Sequence, residues 1–254
     1  MIMNLIRAEL YQLRTRRAPK LWLMIGFLLG TAIPLIYYIG NWIESGSRPA
    51  LAQLPAEPLI YLAFIPVMTG TALFLLIGLA NTAYHDETRH RTLINTVSSG
   101  HRRMTIYMVK FLTSFLLATL FLLVTVLGFA IAGSIIFNGD ISIYFEIIIK
   151  DTAIDYLPIW IMYLALFQLV CFFSTSSALM NITIIAIIAS PIILQLLAFQ
   201  FDFIKFIEPY IFTQLDPRNP IIFMSLNFTT GLAIVYFLIF MGIGIKLFAR
   251  REIK

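Results

Sequence analysis

All 31 formally charged residues of this 254-residue chain fall outside six long apolar stretches, and that distribution constrains the fold more than any motif does. The stretches are Leu21–Ile43, Leu59–Ala83, Phe111–Phe137, Tyr156–Phe173, Ala178–Phe199 and Ile221–Ile245. A bilayer core about 30 Å thick takes roughly 20 apolar residues in a helix, each rising about 1.5 Å. Tyr156–Phe173 is the shortest, with room to extend by a turn at either end. A composition of 60% hydrophobic and 12% charged residues lies outside the range of soluble domains. The expected fold is an all-α integral membrane protein of six transmembrane helices. Residues 1–254 then form a single membrane domain, with almost nothing left for an extramembrane one.

Charge asymmetry sets the expected orientation, because cytoplasmic loops are enriched in Lys and Arg. The N-terminal segment carries Arg7, Arg14, Arg16, Arg17 and Lys20. The loop after the second stretch carries Arg89, Arg91, Arg102, Arg103 and Lys110, and the C-terminal segment Lys246, Arg250, Arg251 and Lys254. Only Arg48, Lys150, Lys205 and Arg218 are left for the opposite side, where most of the acids also fall. Both termini are therefore expected to be cytoplasmic. The net charge of +5 reads as anchoring asymmetry, not as a nucleic-acid footprint. Trp22 and Trp42 bracket the first stretch as interfacial aromatics do. Met1–Lys20 is polar and basic and the apolar run behind it is too long for an h-region, so no cleavable signal peptide is expected.

Within residues 1–20, Ile2, Leu5, Ile6, Leu10 and Leu13 recur at helical spacing, which predicts an amphipathic helix lying in the membrane interface. Glu9 breaks its apolar arc. Two accounts of Glu9 compete: its carboxylate snorkels to headgroups, or it pairs with a base of the Arg89–Arg103 loop. Pro34, Pro66 and Pro191 sit inside stretches, where proline kinks a helix; Pro158 lies near a start, where proline is tolerated. Gly26 and Gly30 give a GxxxG spacing that permits close helix approach, between subunits or within the chain. Two charged but apolar connections, Asn138–Asp155 and Phe201–Pro220, are expected to lie in the outer interface or dip back as re-entrant segments. Ser174–Ser177 is a short uncharged link, and the lone Cys171 is expected simply to pack.

No Asp, Glu, Lys, Arg or His lies within a stretch, which disfavours a carrier that must bind a coupling ion there. The polar groups inside are hydroxyls and amides. Thr69, Asn81, Gln168, Asn181 and Gln195 are candidates to line a pathway, against the plainer alternative of bonding between helices. No nucleophile–base or metal constellation occurs in the stretches. His85, His90 and His101 share a polar loop with Asp86 and Glu87, read as solvated rather than as a metal site. The chain is thus expected to have no catalytic, cofactor or metal site and not to be an enzyme. A translocating body of this kind would draw its energy from a partner docked on the Tyr84–Met104 loop, the largest cytoplasmic feature.

That loop resembles the one between the second and third spans of type-2 ATP-binding-cassette exporter permeases. In the family a Glu precedes a Gly-Thr pair, an apolar run follows, then a Gly-His-Ser-Arg-like turn, an Ile-Tyr pair and a downstream Lys. Glu87, Thr92, Leu93, Gly100, His101, Arg103, Ile106, Tyr107 and Lys110 fall on matching positions. Arg91 stands where the family has glycine, and Arg102 where serine is common. The basic entry helix, Ala8-Glu9-Leu10 followed by Arg14–Arg17, extends the resemblance along the chain. It implies a multi-pass permease of the bacterial cytoplasmic membrane that pairs with a second permease chain, itself or a sister. A separate ATPase subunit dimer would bind ATP and Mg. It implies that residues 84–104 form a coupling helix in which Glu87, Arg89, Arg91, Thr92, Leu93, Gly100, His101, Arg102 and Arg103 meet the ATPase. Glu9, Arg14, Arg16 and Arg17 would belong to an elbow helix on membrane lipid. Permeases of this length are similar to those of bacteriocin or lantibiotic self-protection and of peptide, drug or lipid export. Two other classes stay open: a membrane anchor or sensor for a cytoplasmic partner, and an ion-coupled secondary transporter.

Overall fold

The computed structural model describes residues 2–45, 76, 78, 79, 100, 102–137, 140–148, 154–174, 177–201, 203, 204, 211 and 226–250. Among these residues every regular element is a helix and no strand occurs. The helices are α1 (Ile2–Thr15), α2 (Arg17–Ser45), α3 (Arg103–Phe137), α4 (Ile141–Ile147), α5 (Ile154–Phe173), α6 (Ser177–Gln200) and α7 (Leu226–Arg250). Five of the six apolar stretches coincide with α2, α3, α5, α6 and α7; the second, Leu59–Ala83, lies almost wholly outside the described residues. Among the described residues three segments, Arg17–Gly40, Arg103–Phe137 and Thr230–Arg250, are long and apolar enough to cross a membrane, and α5 supplies a shorter apolar run, Leu157–Phe173.

Two boundaries differ from the sequence reading. The entry helix does not run through residue 20. It closes at Thr15, where the Arg16 amide bonds to the Gln12 carbonyl at 3.0 Å and the Arg16 guanidinium to Gln12 Oε1 at 2.9 Å. Arg17 then opens α2, with Pro19 in its first turn, where helix amides have no intrahelical acceptor and proline gives up nothing. At the other boundary, α3 begins at Arg103, so Arg103–Lys110 is helix rather than loop. Its 35 residues make a rod about 52 Å long, well over the bilayer core.

The chain forms two compact units, Met1–Thr82 with Leu112–Ile154, and Ala83–Phe111 with Asp155–Lys254. In the first unit α2 and α3 run parallel. Gly26 lies against Phe121 and Thr125, Gly30 against the Thr125 carbonyl and Phe129, and a Cβ on Gly128 would sit 2.6 Å from the Phe27 carbonyl. Further along both helices, Tyr37 and Tyr38 meet Phe137 edge-on at 6.4 and 6.3 Å. The Gly26–Gly30 spacing thus serves a contact within the chain. In lipid, helix association rests on close packing rather than on expulsion of water, and glycine is what lets two backbones approach this closely. The Trp22 indole lies on Gly78, leaving no room there for a Cβ.

Past α3 the chain turns back. Asp140 caps α4 by accepting the Ser142 amide at 3.0 Å. Tyr144 is buried, edge-on to Phe129 at 6.0 Å, and its hydroxyl reaches the Gly133 carbonyl at 3.4 Å. Within the Asn138–Asp155 connection, Tyr144 thus packs back on α3; residues 138–139 and 149–153 lie outside the described residues. The Phe201–Pro220 connection lies mostly outside the described residues. In the second unit, α5 and α6 are joined by a link of Ser174 and residues 175–176, and the start of α3 runs antiparallel to α7. Tyr107 meets Phe248, and four residues on, Phe111 meets Phe237 at 5.6 Å. Cys171 is buried and forms no disulfide among the described residues.

Candidate functional site at a junction of three helix ends

The first turns of α3, the last turns of α5 and the last turns of α7 come together in the second unit. Arg103 opens α3. Its Nη1 donates to the Ala249 carbonyl at 2.8 Å and approaches the Phe248 carbonyl at 3.5 Å. Those carbonyls belong to the last turn of α7, where helical acceptors lack intrahelical donors and the helix dipole favours a cation. One turn further into α3, Tyr107 is fully buried. Its ring packs on Phe172 at 4.8 Å and on Phe248 at 6.3 Å, and Phe172 meets Phe248 edge-on at 4.9 Å and 87°. Edge-to-face pairs of this kind add about 0.5–1.5 kcal/mol each beyond their buried area.

Gly244 makes the arrangement sterically possible. A Cβ there would overlap the Tyr107 hydroxyl and ring, so α7 can lie against the tyrosine only with glycine at that place. From α5, Gln168 Nε2 donates to the Tyr107 carbonyl at 3.1 Å. The Tyr107 hydroxyl and Gln168 Oε1 are themselves buried with no hydrogen-bond partner among the described residues. Ile106 and Lys110, which flank Tyr107 on the helix, are each 1% exposed. Just before α3, Gly100 is exposed and turns the chain at φ +82°, the left-handed region that glycine enters without strain.

These observations place the proposed coupling residues unevenly. Glu87, Arg89, Arg91, Thr92, Leu93 and His101 lie outside the described residues. Arg102 is exposed, whereas Arg103 is engaged with the end of α7. Ile106, Tyr107 and Lys110, which the sequence matched as loop positions, are buried helix. Of the entry-helix residues, Arg14 and Arg17 are exposed and Arg16 bonds to Gln12. Glu9 is buried beside Leu5, one turn away, at 7% exposure. Its carboxylate is turned into the protein and does not snorkel outward.

The candidate pathway residues do not converge. Thr69 and Asn81 lie outside the described residues, as does the Asn181 side chain. Gln195 is on the exposed side of α6, and Gln168 bonds between helices. Gly244, Phe172 and Phe248 carried no sequence signal beyond a glycine among large residues near the end of an apolar stretch. No family model, curated protein or solved structure matches the chain.

Proposed function

We propose that this chain is the permease subunit of an ATP-driven exporter in a bacterial cytoplasmic membrane. Its six helices would move an amphipathic solute, such as an antimicrobial peptide, a drug or a lipid, by alternating access, while a separate ATPase dimer binds ATP and Mg. A second permease chain completes the translocating pair. The observation that carries this reading is the wiring of Tyr107. The segment resembling a coupling loop leads straight into a helix start wedged against α5 and α7, so that a push on the loop reaches two further membrane helices at once. A tether for a signalling partner has no need of such a wedge.

The packing directions support the six-span topology. Parallel neighbours such as α2 and α3 require the chain to cross back between them, which the apolar stretch Leu59–Ala83 is long enough to do. The meeting of the α3 start with the α5 and α7 ends fits a single, cytoplasmic side for all three.

One observation bears on the ion-coupled alternative. Lys110 belongs to helix α3 and is buried there. It lies about 10 Å from the start of a 52 Å rod, nearer the rim than the middle where a coupling ion would bind. The test is ATP hydrolysis by the permease purified together with its ATPase subunit. Glu87→Ala is expected to lower substrate-stimulated hydrolysis severalfold while membrane insertion is unchanged. Unaltered hydrolysis and unaltered recovery of the ATPase would refute the assignment.

A further inference from the structure

The outward face of α1 carries a pattern that neither a water-facing nor a hydrocarbon-facing helix would choose. Met3, Arg7, Leu10 and Arg14 follow one another at four-, three- and four-residue steps, so they form a single stripe along the helix. All of them are exposed, with Met3 61% and Leu10 40%, and Tyr11 beside the stripe is 69% exposed. Arg17 and Lys20, at the start of α2, are exposed as well. The one acid of α1, Glu9, lies on the opposite, buried side, so the exposed face carries cations and apolar groups and no anion.

We infer that this stripe binds anionic phospholipid headgroups, with Arg7 and Arg14 each holding a phosphate while Met3, Leu10 and Tyr11 enter the acyl boundary. A helix in the plane of the interface satisfies both sets of groups at once. The two guanidinium groups stand about 10 Å apart along the axis, far enough to serve separate lipids. A planar guanidinium grips phosphate through paired hydrogen bonds, which a point charge cannot do. Charge complementarity selects the occupant, because the cytoplasmic leaflet is the anionic surface and attracts each basic residue near it by about fivefold in partition. The inference rests on the interfacial placement of α1 and not on the exporter reading, since no ATPase takes part in its test.

The test uses the full chain in bilayers, with a fluorophore on a Thr15→Cys variant; the native Cys171 is buried and stays unlabelled. Brominated phosphatidylglycerol is expected to quench the fluorophore at about a fivefold lower mole fraction than brominated phosphatidylcholine. Raising the salt should narrow that difference, and millimolar inorganic phosphate should leave it unchanged. Arg7→Gln combined with Arg14→Gln should make the two lipids quench alike, while Arg7→Lys with Arg14→Lys retains part of the preference. Circular dichroism of each variant checks that the helix content is intact. Equal quenching by both lipids in the unmutated stripe would overturn the inference and leave the face to an acidic protein instead.

Discussion

At the scale of single residues, the junction turns on the space that Gly244 leaves for the Tyr107 hydroxyl. Gly244→Ala places a methyl group on that hydroxyl and is expected to destabilise the protein by about 1–3 kcal/mol, as overpacking does. Tyr107→Phe removes a buried hydroxyl with no partner among the described residues, so the melting temperature should hold or rise. In the Gly244→Ala background the same change should recover part of the loss. Thermal unfolding of the detergent-solubilised chain reads all three; a large drop for Tyr107→Phe alone would mean that the hydroxyl is bonded after all. Asp140 offers a second case. The Ser142 backbone amide, with help from the Ser142 side chain, holds its carboxyl below the ordinary aspartate range. A depressed carboxylate supports the folded state above its unfolded pKa and loses that support as pH falls through the lower folded value. The α4 cap should therefore be intact at neutral pH and released only in acid. Hydrogen exchange at the Ser142 amide should speed up in Asp140→Ala at neutral pH and stay slow in Asp140→Asn, which keeps an acceptor.

At the scale of elements, the α2–α3 contact separates glycines that matter from one that does not. A Cβ on Gly30 meets backbone of α3, which cannot swing aside as a side chain can, whereas a Cβ on Gly40 meets nothing. Gly30→Ala is expected to lower the melting temperature clearly, and Gly40→Ala to leave it unchanged or slightly raised, since alanine favours helix. Equal effects would contradict the close parallel packing. Helix positions were legible in the sequence because charge-free runs of bilayer length admit little else. The GxxxG spacing was legible as a close-approach signal, but its partner was not, since Thr125 and Gly128 become neighbours only through packing. The start of α3 was hidden for a related reason: Arg103 and Lys110 look like loop charges until one caps α7 and the other is buried. Glu9 was readable as a break in an apolar arc; that the break faces the protein is a tertiary fact. The pathway candidates gave the least, because an isolated amide in an apolar helix fits bonding between helices as well as it fits lining.

At the scale of the whole molecule, α3 is the element both compact units share, its first turns in one and the rest in the other. On the proposed reading, a force applied at Gly100–Arg103 acts on the first turns of that helix. The proposed drive is an external motor because the apolar stretches themselves contain no Asp, Glu, Lys, Arg or His. The measurement closest to this claim is uptake of a cationic amphipathic peptide into sealed inverted vesicles bearing the chain and the proposed ATPase subunit. Uptake should require ATP, persist when an uncoupler collapses the proton gradient, and fall severalfold in Glu87→Ala. Uptake driven by an imposed ion gradient without nucleotide would contradict it.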